Sequence, residues 1–136
     1  MRHLYLTALL FCPAVLHAAP ETALPASVRE AFDAYCRLPQ ILVPQLQKVT
    51  DKASADAQAP WLRKSLSEVY TVREKLHTMP RLTPAQNQQV RLKYEKRMRT
   101  EWGRMYAEIS RLQEAKCYQS AELTEVFRLL CMMIEK

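Results

Sequence analysis

An all-α fold, an up-and-down antiparallel bundle of three to four helices with a long third helix, is predicted by three observations on the 136-residue sequence. Glycine occurs once, at Gly103. That leaves β-hairpins, phosphate-cradling loops and dinucleotide folds without the positive-φ residues they need. Apolar residues recur at three- and four-residue steps over most of the chain. The segments between these stripes are short, which sets consecutive helices antiparallel. No internal repeat and no low-complexity tract interrupts the pattern.

The chain divides into residues 1–18, read as a cleavable signal peptide, residues 19–26, a flexible N-terminal segment, and residues 27–136, the helical bundle domain. Arg2 supplies a basic start, residues 4–16 are free of charge, and His17, Ala18 and Ala19 form a small-residue exit. Cleavage is expected between Ala18 and Ala19, because cutting one residue later would leave Pro20 just past the scissile bond. The apolar run of about 13 residues falls short of the roughly 20 that cross a bilayer, and Pro13 interrupts it. An exported protein, periplasmic or secreted, with no transmembrane segment after cleavage, is the expectation. About 118 residues remain, enough for a single core. The formal charge of +6 favours acidic surfaces without naming one.

Ser27-Val28-Arg29-Glu30 has the form of a capping box, so a first helix is expected from Val28. Its stripe is Val28, Phe32, Tyr35, Leu42, Leu46 and Val49, with Pro39 in phase. Pro39 and Pro44 predict a kink or a restart near Leu38. In residues 50–60, Ser54 or Asp56 offers an N-cap; with Asp56, Pro60 falls in the first turn, where its missing N–H costs little. The second helix carries Leu62, Leu66, Val69 and Leu76 and runs to Met79, before Pro80. The third starts with Thr83 as cap, Pro84 at the first position and Gln86 reciprocating, and runs to about Ala115. Val90, Tyr94, Met98, Trp102, Met105, Ile109 and Leu112 form its stripe. Gly103 within it predicts a close helix approach or a bend. After a turn at residues 116–119, Ser120 caps a fourth helix whose seam is Leu123, Phe127, Leu130 and Ile134, with Glu122 complementing its dipole. The second and third helices would form the spine.

Leu82-Thr83-Pro84-Ala85-Gln86, with the polar, basic helix that follows, resembles the LTxxQ motif of small periplasmic helical proteins, a group that includes Spy-like chaperones and envelope-stress or metal-stress sensors. The resemblance implies a secreted helical protein that shields unfolded clients on a basic, methionine-containing surface. Members commonly carry the motif twice, and this chain carries it once. The rest of the chain, including residues 51–57 and 116–123, looks like secreted bacterial helical proteins without an assigned role, a resemblance that implies no activity.

Without Cys12, the cysteines are Cys36, Cys117 and Cys131, an odd number for an oxidising compartment. By helical rise, Cys36 lies about 20 Å and Cys131 about 15 Å from the same end of the bundle. A Cys36–Cys131 disulfide is therefore one reading, with Cys117 in the turn as a free thiol. Burial of all three as small hydrophobes is the other.

No catalytic, cofactor-binding or metal-ligating motif stands in the mature sequence, so an enzyme is not expected. His77 has no carboxylate or cysteine beside it in sequence. Cys131, Met132 and Met133 have the softness of a Cu(I) set, but consecutive helical positions point about 100° apart. Arg91, Lys93, Lys96, Arg97, Arg99 and Arg104 interleave with Tyr94 and Trp102. Those aromatics fall on the buried stripe and Glu95 and Glu101 can pair with arginines, so nucleic acid is not the expected partner. The six cations are the candidate partner-binding face, for a protein partner, an unfolded client or an anionic envelope surface. The alternative role is structural: assembly of a homo-oligomer through an apolar flank of the fourth helix at Val126, Leu129, Met132 and Met133.

Overall fold

The structure, a computed structural model, describes residues 23–135. The expected signal peptide and residues 19–22 of the segment 19–26 lie outside the described residues. Four α-helices follow one another: α1 (Ala26–Gln47), α2 (Lys52–His77), α3 (Pro84–Glu114) and α4 (Ala121–Glu135), with a left-handed turn at Lys116–Gln119 before the last. The fold is the all-α bundle with a long third helix, and no strand occurs among the described residues.

Chain direction alternates from helix to helix, but only one sequential pair, α1 and α2, is also a close pair. α1 and α2 form the central hairpin, α3 flanks α1, and α4 flanks α2. Phe32 meets Tyr94, Tyr35 meets Trp102, and Gln47 reaches Glu108, so α1 and α3 run in the same direction. Among the described residues, α2 and α3 make no close backbone approach. The spine is therefore α1 and α2. The cause is the width of the buried surfaces. α1 buries Ala31, Leu38, Pro39, Leu42 and Val43 around more than one face and can take two partners, whereas α3 buries a narrow stripe and takes one.

The helix starts differ in their chemistry. Thr83, Pro84 and Gln86 do what their types predict: the Gln86 N–H donates to Thr83 Oγ1 at 3.2 Å and Gln86 Oε1 accepts the Thr83 N–H at 3.0 Å. α2 starts earlier than expected. Asp51 is its cap, accepting the Ser54 N–H at 2.7 Å, while Ser54 Oγ accepts the Asp51 N–H at 3.0 Å. Pro60 consequently lies inside the helix. α1 starts from Pro25, whose carbonyl accepts the N–H groups of Val28 and Arg29, so the box expected at Ser27 and Glu30 does not form. No restart occurs near Leu38, since α1 continues as one helix through Pro39 and Pro44. Within residues 23–25, the Ala23 carbonyl accepts from Gln86 Nε2 at 3.3 Å, and Leu24 packs against the cluster of Val28, Cys36, Val90 and Tyr94.

Two apolar clusters result. The larger joins all four helices through residues such as Leu42, Leu46, Leu62, Met105, Leu112, Leu123 and Leu130. The smaller joins only α1 and α3, through Val28, Cys36, Val90 and Tyr94, with Met79 and Leu82 of the α2–α3 connection against it.

Candidate functional site

The first half of α1 and the middle of α3 meet through aromatic rings. Phe32 stacks on Tyr94 with centroids 5.3 Å apart, and Tyr35 stacks on Trp102 at 4.5 Å. Trp102 also donates its indole N–H to the Tyr35 carbonyl at 3.3 Å. Pro39 stands four residues after Tyr35, where a helical N–H would otherwise supply that bond. The indole thus replaces the donor that Pro39 removes. Burial pushes the Tyr35 phenol above its ordinary range, and Tyr106 and Cys36 add to the shift.

Beside this aromatic wall lies a cleft of about 420 Å³ to which every helix contributes. α1 supplies Phe32, Tyr35 and Leu38; α2 supplies Val69, Val72, Arg73, Leu76 and His77; α3 supplies Met98 and Trp102; α4 supplies Met133 and Ile134. Ten of these twelve side chains are hydrocarbon, aromatic or thioether. The two exceptions sit one helical turn apart, where Arg73 Nε donates to His77 Nε2 at 3.4 Å. No sequence pattern pointed to this cleft, since its walls come from four separated segments. His77, which has no carboxylate or cysteine beside it in sequence, is exposed and belongs to the cleft's lining.

The six cations expected to form a binding face, Arg91, Lys93, Lys96, Arg97, Arg99 and Arg104, are all exposed along α3. Arg99 pairs with Glu95 at 2.8 Å, Arg91 approaches the same carboxylate at 3.8 Å, and Arg97 bridges to Asp33 of α1 at 3.2 Å. Lys93 lies over the Tyr94 ring, 5.2 Å from its centroid. Lys96 and Arg104 make no ion pair among the described residues. Leu92, 78% exposed, stands among these charges.

The cysteine pairing needs correction. No two of Cys36, Cys117 and Cys131 lie at disulfide distance. Cys36 packs with Val90 and Tyr94 between α1 and α3, whereas Cys131 belongs to α4, which packs against α2. Cys117 does lie in the turn, but it is only 5% exposed and so is no available thiol. Burial raises both Cys36 and Cys117, opposed by Arg97 at the first and by a hydrogen bond with Thr124 at the second. Both behave as small core residues.

The flank proposed for assembly is mostly internal. Val126 is fully buried in the chain's own core, and Leu129 and Met133 pack partly buried against it. Met132, 44% exposed, is the large apolar residue left outside, with its sulfur accepting from Arg128 at 3.3 Å. α4 is apolar over a wide arc because α2, the turn and the larger cluster cover it.

Among the described residues, no three histidine, cysteine or acidic side chains gather as a metal site, and no helix is long and apolar enough to cross a membrane. No family model matches the chain, and neither a curated protein nor a solved structure matches it.

Proposed function

We propose that the protein is an exported, non-enzymatic binding protein that holds a macromolecular partner, in its sharpest form an unfolded client, against the outer face of α3. The observation that supports this reading is the state of that face. Among the described helices only α1 makes a close backbone approach to α3, which leaves its opposite side, with Leu92, Lys96, Arg99 and their neighbours, turned away from the fold. Exposed cations around an exposed leucine suit a partial chain that carries both acidic and apolar segments. A helix held on one side by a narrow stripe can present such a surface without weakening the core.

The test is suppression of aggregation of a chemically unfolded client by the purified protein. Protection at a few-fold excess is expected, together with its loss when Lys93, Lys96 and Arg104 are changed to glutamine and its weakening as salt is raised. Absence of protection at any ratio, or protection unaffected by the triple substitution, overturns the reading. Export is tested separately by N-terminal sequencing of the secreted protein, with Ala19 expected as the first residue.

A further inference from the structure

We infer that the cleft formed by the four helices binds a single-chain anionic amphiphile, with its alkyl chain along the apolar walls and its carboxylate on Arg73. This site is separate from the outer face of α3 and goes beyond the function proposed above.

The volume of about 420 Å³ lies toward the lower end of the roughly 300–1,000 Å³ of small-molecule sites, which leaves room for one chain. The walls accept hydrocarbon. Phe32, Tyr35 and Trp102 form a rigid aromatic side, while Met98 and Met133 supply unbranched side chains that adapt to a flexible ligand. The charged and imidazole groups stand at one place, the Arg73–His77 pair, and the remaining lining is apolar apart from the Tyr35 hydroxyl and an indole N–H already committed to the Tyr35 carbonyl. A sugar or nucleotide would bring many hydrogen-bonding groups against walls that cannot answer them. One charged end and one apolar body is the chemistry that this distribution matches.

Arg73 fixes the sign of the charged end. It is half-buried, and no carboxylate of residues 23–134 stands within ion-pair distance of it. Its Nε is directed to His77, and its two terminal nitrogens have no protein acceptor among the described residues. A guanidinium in that state offers parallel donors that suit a carboxylate. A cation bordering an apolar cleft, with no anion paired to it among the described side chains, is thus complementary to a fatty-acid-like ligand.

The experiment is calorimetric titration of the protein with laurate below its micellar concentration, beside the uncharged lauryl alcohol. Trp102 fluorescence in a Trp61→Phe background locates the site. Saturable one-to-one binding of laurate with a shift of the Trp102 emission is expected. Lauryl alcohol should bind roughly tenfold more weakly, the loss that one charge-assisted contact accounts for. Arg73→Gln should weaken laurate by a similar factor, leave the alcohol unchanged, and erase the difference between them. Equal affinity for acid and alcohol, an Arg73→Gln protein that binds laurate as before, or binding without a Trp102 response overturns the inference. So does binding confined to phosphatidylglycerol vesicles, which would assign the interaction to a bilayer surface. If Arg73→Gln does not fold, the acid-against-alcohol comparison on the unaltered side chain decides.

Discussion

At the scale of single residues, Trp102 and Pro39 form a pair whose energetics can be separated. Trp102→Phe keeps most of the ring stack on Tyr35 but orphans a carbonyl that Pro39 already deprives of its helical donor, so a loss of about 1–3 kcal/mol is expected in chemical denaturation. In a Pro39→Ala background the alanine N–H returns to that carbonyl, and Trp102→Phe should cost measurably less. Equal costs in both backgrounds would mean that the indole contributes only by packing. Gly103 presents the opposite situation. It is exposed within α3, and a Cβ built there would meet nothing within 4 Å. The close helix approach that a lone glycine suggests is absent at this position. Gly103→Ala should therefore raise stability by about 1 kcal/mol, the ordinary helix-propensity difference, read as a higher melting temperature.

Among the elements, the end of α1 and the turn before α4 are joined by Arg111. Its guanidinium donates to the Leu46 carbonyl at 2.8 Å and the Val49 carbonyl at 2.9 Å, to the Tyr118 hydroxyl at 3.2 Å, and to Glu108 at 2.8 Å. Carbonyls at the end of α1 and just past it, that of Leu46 beside its bond from the Val49 N–H, are thus met by a cation on a neighbouring helix. The same side chain steadies Lys116–Gln119, where four successive non-glycine residues have φ between 49° and 59°, a region that costs about 1–2 kcal/mol per residue. Arg111→Met, which retains the apolar stem, should lose about 2–3 kcal/mol and speed amide exchange at residues 116–119. At the other end of that connection, α2 depends on Asp51. Hydrogen bonds from the Ser54 N–H and hydroxyl hold the Asp51 carboxyl below its ordinary value of 3.8. Lys52 and then Ser120 do the same for Asp56, and Arg128 for Glu125. Because these carboxyls bind protons less readily folded than unfolded, their contribution is present above the ordinary carboxylate range and disappears as pH falls through the depressed values. Unfolding followed from about pH 5 to about pH 2 should show declining stability, with a shallower decline in Asp51→Asn, whose amide oxygen still accepts at the cap. How far such elements can be read in sequence varies with the locality of their causes. The α3 start was legible because Thr83, Pro84 and Gln86 are a complete local signal. The α2 start was not, since Ser54 in the reciprocal position is an uncommon partner and the interior Pro60 argued for a later cap. The left-handed turn carries no glycine or asparagine, and what supports it, Arg111, is outside it in sequence. The cationic face was legible from α3 alone, whereas the cleft depends on which helices become neighbours.

For the whole molecule, the two apolar clusters divide the bundle into regions of unequal support. The larger cluster draws on all four helices and includes Leu46, Leu62, Met105, Leu112 and Leu123. The smaller one draws on α1, α3 and the α2–α3 connection, with Tyr94 at its centre, 1% exposed and within 3.5 Å of the Arg29 carbonyl through its hydroxyl. Phe32 borders the smaller cluster, Leu38 and Val69 belong to the larger, Met98 packs against both, and all four line the cleft. The cleft therefore spans the boundary between two packing units, where partial opening costs least. Amides in the first half of α3, residues 88–97, should exchange by a local opening, whereas those near Leu62, Met105 and Leu123 should require global unfolding. Tyr94→Ala removes the centre of the smaller cluster and should accelerate exchange over residues 88–97 and the first half of α1, with little change around Leu123. A ligand held across the boundary must oppose that opening in proportion to its occupancy. Saturating laurate should slow exchange in the first halves of α1 and α3 in the unaltered protein, and by much less in Arg73→Gln at the same concentration. Uniform acceleration throughout the chain in Tyr94→Ala would instead show one cooperative unit, and the boundary would then have no energetic meaning.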